Sequence, residues 1–522
     1  MAEIAAGRAV PASAARTDSS VTTEASDDVD VSRLLAWARR QDPVPWILGG
    51  MMLVWTVTFV ALGWLRHARF ATFSYDLGIY DQDLWLLSQF KEPFGTVRGL
   101  NFFGQHLNPA LLLLVPAYWL GAGPEFLLIV QVAAQASGAV AVYLLARDRL
   151  ADRWLALVLA GALLLNPTYQ FLTWEFFHPD ALAVAPVLFA YWAARRERWG
   201  WFTVAAVLAA ACKEDVALVL VAMGVLVALR QKNLRVGLTT VVLASAWYLV
   251  GTRVVMPAVL GGLNPFYDAF FGELGANAGE VVRTVLTNPV KPLDLATRTD
   301  RINYLRLILG PVAFLPVASL STFFVALPIL AVNLVATFPY TRDFKYHYSA
   351  LIVAAALIAT VEGIARIARK PSTRRFFVGL VAASSLATSV AWGPSPIASN
   401  YDIGYWPLTA DRRLPTFEAA VAMVPEDASV SATFSFVPHL THRTHIYDWP
   451  EPWRLVNWGI RGENLHDPGG VEWIVLDRRP MGESDRKLLE RLLQGEFEIR
   501  LDKEDVLVAQ RVRPGGRVEI PT

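Results

Sequence analysis

The chain has 522 residues, 54% of them apolar and 18% charged, and its 47 Lys/Arg against 46 Asp/Glu leave a formal net charge of +1. Soluble proteins carry roughly 25% charged residues, so this deficit argues against a cytosolic enzyme and a nucleic-acid binder. A single cysteine, Cys212, excludes an intrachain disulfide framework.

The first 29 residues are rich in Ala, Ser, Thr and Asp without an apolar run, the pattern of a disordered tail. Val31–Gln41 suits a short amphipathic helix at the inner membrane face, so residues 1–44 read as a cytoplasmic tail. Pro45–Leu65, Phe126–Ala146 and Trp154–Trp174 then give uncharged runs of 21 residues each, and Leu307–Thr341 one of 35. About 20 apolar residues cross a hydrocarbon core, so the chain is a polytopic membrane protein.

Charge placement predicts the topology. Arg147–Arg153, Arg195–Arg198, Arg230–Arg235 and Arg366–Arg375 carry 3, 3, 3 and 5 basic residues, and short loops this basic stay cytoplasmic. Keeping all four inside requires Leu107–Pro124 not to cross, and Pro109 and Pro116 fit an interfacial or re-entrant segment. The plan has about eleven spans, of roughly 20 residues where complete, starting near 45, 126, 154, 180, 199, 215, 236, 303, 321, 348 and 376. Those at 180–194, 199–212 and 215–229 are short, as expected of helices opening into a polar cavity. The transmembrane domain is thus 45–393, with a first outer loop at 66–125. Residues 394–522 read as an extracytoplasmic α/β domain, with helical periodicity at Leu414–Val424 and Glu483–Gln494 and strands at Ser429–Phe434 and Trp473–Leu476.

This topology places all eight histidines outside. Ionisable groups beside spans are expensive and point to function. Asp76 opens a helix with Leu77, Tyr80, Leu84 and Leu87 on its apolar face, and reads either as a cap or as a general base held at the membrane surface. Asp81 is the second carboxylate of that segment. His106 precedes the re-entrant segment; alone, such a histidine is more often structural. Glu175, His178 and Asp180 crowd six residues at a span junction, a weak metal-ligand pattern. Lys213, Glu214 and Asp215 form either a solvated turn or an anion-binding site. Lys345 and His347 sit among aromatic residues, a mix suited to a phosphate or sugar and equally to interfacial anchoring. His439, His442 and His445 repeat at a spacing of three, a pattern commoner in polar loops than in metal sites. Walker, GxGxxG and HExxH motifs are absent from the sequence.

YDLGIYDQDLW, FFGQHLNPALLLLVPAYWL, EFFHPDALA, CKEDVALVL and NLVATFPYTRDFKYHYSA, followed by PHLTHRTHIYDWP and VEWIVLD, together resemble a family of predicted bacterial membrane proteins of unknown function. The likeness covers most of residues 45–480. That family is similar, distantly, to the GT-C superfamily of integral-membrane glycosyltransferases. The resemblance implies an all-α, GT-C-like membrane domain with an outer α/β domain in a bacterial plasma membrane. It implies transfer of a sugar from a polyprenyl-phosphate donor to a glycan, lipid or protein acceptor. By the same likeness Asp76 matches the acidic residue of the first outer loop, although Asp81, not an adjacent residue, is the next carboxylate. Lys213, Lys345, His178 and His347 are candidates to face the leaving phosphate, with no cofactor specified and a divalent cation left open. The competing classes are a transporter or flippase of an envelope precursor, and a non-catalytic envelope scaffold.

Overall fold

The computed structural model describes residues 42–262, 270–454 and 466–513. The helix expected at Val31–Gln41 lies outside the described residues. The described residues from Val44 onward cluster as one compact unit.

The first helix, α1 (Pro43–Ala68), leads into a tight turn and the short α2 (Ile79–Ser88), then a two-stranded hairpin of β1 (Phe94–Gly95) and β2 (Leu100–Asn101). Next come α3 (Pro124–Leu150), α4 (Arg153–Leu165), α5 (Pro167–Trp174), α6 (Pro179–Arg195), α7 (Trp199–Cys212), α8 (Val216–Arg230) and α9 (Leu234–Val259). The membrane part ends with α10 (Leu315–Val335), α11 (His347–Ile367) and α12 (Pro371–Trp392). Six of these helices are long and apolar enough to cross a membrane, or seven if α4 and α5, bent by 46°, make one span.

By length and composition the described residues therefore supply six or seven spans rather than eleven. Helices α6, α7 and α8 have 17, 14 and 15 residues. At 1.5 Å per residue they rise only about 21–26 Å, short of a hydrocarbon core of about 30 Å. The span expected from 303 is an 11-residue helix, Thr299–Leu309. Within the segment expected not to cross, Pro109–Tyr118 forms a short, irregular helix of ten residues.

Local chemistry sets the breaks. Asp152 accepts the Trp154 and Leu155 amides to start α4. Asn166 caps α5 by accepting the Tyr169 amide, and Pro167 occupies its first turn, which bends the pair. His178 is the N-cap of α6 and Pro179 its first residue. Helix α11 is the centre of the bundle, with 83% of its apolar window buried, against 17% for α9 at the periphery. The chain shuttles between two ends of the bundle. One carries Arg149, Arg195 and Glu362, where Glu362 pairs with Arg149 at 2.9 Å and Arg195 at 3.2 Å. The other carries the α1–α3, α5–α6, α7–α8 and α10–α11 connections.

The C-terminal part folds as a five-stranded sheet, β3 (Val430–Ala432), β4 (Ile446–Asp448), β5 (Trp473–Asp477), β6 (Phe497–Lys503) and β7 (Val506–Arg511), in the order β4-β3-β5-β7-β6. Strand β3 is parallel to β4 and β5, and β7 runs antiparallel to β5 and β6. The core on one sheet face takes in Phe417, Phe436 and Val437, and it also includes Phe70, Ile79 and Val97 from the first loop. Sheet and loop thus share one core.

Candidate functional site

The turn between α1 and α2 positions the first residue. Asp76 has φ 60° and ψ −73°, the geometry of a classic γ-turn and costly for a residue with a Cβ. The Ile79 amide is satisfied by the Asp76 and Ser74 carbonyls. Asp76 is therefore a strained corner, and the helix behind it starts at Gly78 without a side-chain cap, unlike the capping role weighed from sequence. The expected apolar face holds: Leu77, Tyr80 and Leu84 are buried in one cluster, with Leu87 packed against it.

Around this corner the α5–α6, α7–α8 and α10–α11 connections converge. Asp76, Glu175 and His347 bring one ligand-type atom each within 4.8 Å of one another, and so do His178, Asp180 and His347. His178 Nδ1 lies 2.6 Å from Asp180 Oδ2. The Lys213 ammonium reaches the same oxygen at 3.0 Å and Asp215 at 3.6 Å. Glu175 grips His347 twice, through Nδ1 at 2.7 Å and through the backbone amide. The His178 and His347 rings lie parallel, 3.4 Å apart at 9°. His106 Nδ1 pairs with Glu214 at 2.9 Å, and the other Glu214 oxygen accepts the Leu107 amide. The His106 ring stands edge-on to His178 at 6.4 Å.

Electrostatics follows from burial. Loss of water raises the Asp76 carboxyl above the ordinary aspartate range, against the pull of His178, Lys213 and His106. Burial likewise raises Glu175, reinforced by Asp76. Burial works to lower Lys213, but Asp180, Asp215 and Glu214 outweigh it and hold the ammonium well above the usual lysine value. Burial pushes Asp215 up to about 7 against Lys213.

Nine of the eleven residues singled out from the sequence thus meet in one region: Asp76, His106, Glu175, His178, Asp180, Lys213, Glu214, Asp215 and His347. Two do not. Lys345 pairs with its neighbour Asp343 at 3.5 Å and stays about one-third exposed. Asp81, on α2, is fully buried in a different network, accepting the Tyr118 hydroxyl at 2.7 Å and the Thr441 hydroxyl, with His442 Nε2 at 3.2 Å. His439, His442 and His445 have separate partners: His439 stacks on His67 and Phe70, His442 meets Asp81, and His445 faces His466.

Two contributors were not singled out. Gln131, buried inside α3, accepts the His178 amide at 2.6 Å and donates to the Leu172 carbonyl at 2.7 Å, fixing the α5–α6 connection. An amide in an otherwise apolar span was the available signal. Tyr80 presents its ring edge-on to His178 at 5.8 Å. It was counted only as part of an apolar stripe.

The chain belongs to the family described as Predicted membrane protein (DUF2079), which matches it over residues 66–508. Among solved structures, the chain is similar to ArnT from Cupriavidus metallidurans bound to undecaprenyl phosphate, at 12% identity, over 88% of this chain and 98% of that one, with a TM-score of 0.49. It is also similar to the Archaeoglobus fulgidus oligosaccharyltransferase in complex with zinc and sulfate, at 15% identity, over 86% of this chain and 71% of that one, with a TM-score of 0.34. No curated protein matches it.

Proposed function

We propose that this membrane protein is a glycosyltransferase that moves a sugar from a polyprenyl-phosphate donor to an envelope glycan, lipid or protein acceptor on the extracytoplasmic face. The reaction class comes from the GT-C resemblance of the sequence. The observation that carries the residue roles is the half-buried Asp76 on its strained turn, beside a buried cluster fed by three helix connections at one end of the bundle. In this reading the acceptor hydroxyl attacks the anomeric carbon as the carbon–oxygen bond to phosphate breaks, and Asp76 takes the hydroxyl proton. A carboxylate raised by burial is the better base near neutral pH. The displaced phosphate leaves as an anion and needs positive charge around its oxygens, not a proton. In this reading Asp81 is not the base, since its oxygens are engaged by Tyr118, Thr441 and His442.

The orientation belongs to the same proposal: basic bundle end and N-terminus in the cytoplasm, residues 394–522 outside as an α/β domain that positions the acceptor. Reporter fusions at Arg196, Lys232 and Lys370 should read cytoplasm, and fusions at Glu175, Asp343 and after Pro394 the outside. The reaction is tested with purified protein in nanodiscs and a panel of synthetic polyprenyl-phosphate sugars. Asp76→Asn keeps size and hydrogen bonding, and should slow transfer by about 10²–10⁴. Full activity in that variant removes Asp76 from the mechanism. Movement of a solute or lipid without transfer from any donor replaces the enzyme by a transporter.

A further inference from the structure

We propose that His178, Asp180 and His347 form a binding site for one divalent transition-metal ion of the zinc class, with Glu175 orienting His347. All three ligand residues are buried, at 4%, 4% and 7% exposure, and their ligand atoms lie within 4.8 Å of one another. Two imidazoles and a carboxylate suit zinc, manganese, iron or cobalt rather than magnesium or calcium, which take oxygen ligands. Three protein ligands leave coordination positions open, the arrangement of catalytic rather than structural sites.

The surrounding bonds are those that a metal-ligating histidine needs. Glu175 accepts from the Nδ1–H of His347 at 2.7 Å, which fixes the tautomer and turns Nε2 toward the ion. The second Glu175 oxygen accepts the His347 amide, so the carboxylate holds the residue at two points. His178 is held by its own backbone, through Gln131 at 2.6 Å, at the N-terminus of α6. Asp180 spends Oδ2 on Lys213 and His178, leaving Oδ1 for the ion.

Where the inference rests on the glycosyl-transfer reading, the ion has a further task. Lys213 is committed to Asp180 and Asp215, and Lys345 to Asp343, and a metal ion would add positive charge for the departing phosphate.

The test does not need the reaction. Full-length protein, with any affinity tag removed, is stripped with chelator in nanodiscs and dialysed against Zn²⁺ or Mn²⁺ alone. Metal per chain is counted by mass spectrometry, alongside the thermal midpoint. The expected result is about one ion per chain and a midpoint that rises with metal concentration. Asp180→Asn and His347→Gln should weaken binding by about 100-fold, and Glu175→Gln by about 10–100-fold. His442→Gln, in the separate Asp81 network, should bind as wild type. Should the ligand variants misfold, Co²⁺ added to the wild-type protein should give ligand-field bands of a nitrogen- and oxygen-ligated site. No ion above buffer level in folded wild type, no Co²⁺ bands, or unchanged occupancy in folded Asp180→Asn and His347→Gln overturns the site. One bound ion with no transfer from any donor keeps the metal site and removes the glycosyltransferase.

Discussion

Asp76 and Asp81 lie five positions apart, and the structure assigns their substitutions to different observables. Asp81→Asn puts an amide where one carboxylate oxygen accepts the Tyr118 hydroxyl at 2.7 Å and the other accepts the Thr441 hydroxyl beside His442 Nε2 at 3.2 Å. An amide has one acceptor oxygen, so one of the two hydroxyls faces an NH₂ donor in a fully buried place. Hydrogen bonds to a charged group are worth roughly 1.5–3 kcal/mol net. The exposed share of His442, 41%, limits the ion-pair contribution to under about 1 kcal/mol. The sum is roughly 1.5–4 kcal/mol of lost contact between α2 and its partners, or about 10–1,000-fold in their opening equilibrium. Hydrogen-exchange mass spectrometry in nanodiscs reads this directly, as faster exchange in peptides covering 79–88 and 437–448. Asp76→Asn should leave those peptides protected, because Asp76 is not part of that network. Unchanged exchange in Asp81→Asn, or opening of the same peptides in Asp76→Asn, refutes the reasoning.

The same contact should respond to pH. Burial works to lower His442, but the hydrogen bond and the charge of Asp81, with the charge of Glu125, together outweigh it and raise the imidazolium above 6.5. The pair's stabilisation is fully present below pH 6.5 and is lost as pH rises through the raised value, so protection of residues 437–448 should fall across that window. Asp448 behaves oppositely to a salt-bridged acid: burial pushes it up to about 7 while the Ser74 hydroxyl, donating at 2.8 Å, opposes the shift. Its native state holds a proton that the unfolded chain releases above about 4, so Asp448→Asn should raise the thermal midpoint at pH 8 more than at pH 5. Lys213→Ala strands the buried Asp180 carboxylate and should destabilise the fold by roughly 3–5 kcal/mol. Lys213→Met combined with Asp180→Asn should recover most of that loss in thermal unfolding, and a double variant no better than Lys213→Ala counts against the pair.

Much of the site was legible because its residues sit where apolar runs stop. Glu175, His178, Asp180, Lys213–Asp215 and His347 each mark a helix connection, and charge placement alone put those connections at one end of the bundle. Lys345 stands apart for a local reason: Asp343, two residues away, holds its ammonium. Asp81 could not be separated from Asp76 by spacing, because its partners Thr441 and His442 are some 360 positions distant. The expected eleven spans and the six or seven counted by length and composition among the described residues part at the short helices. Apolar composition marks α6, α7 and α8 as membrane-compatible, whereas their length follows from where His178, Lys213 and Arg230 interrupt them. The sheet was legible as alternating strands, but periodicity within 394–522 says nothing about Phe70, Ile79 and Val97 completing its core.

That shared core imposes an order on biosynthesis. Phe70, Ile79 and Val97 leave the ribosome early, while Phe417, Phe436 and Val508 come near the end of the chain. At about 5–20 residues per second, the 360 positions between Asp81 and Thr441 take roughly 20–70 s to make. During that interval the first loop has no second half to pack against, and the turn that bends Asp76 has no sheet behind it. A chain cut short before residue 430 lacks Phe436, Val437 and Val508, with which Phe70, Ile79 and Val97 share their core. The first loop therefore gains its full set of packing partners only once the chain has been translated through β7.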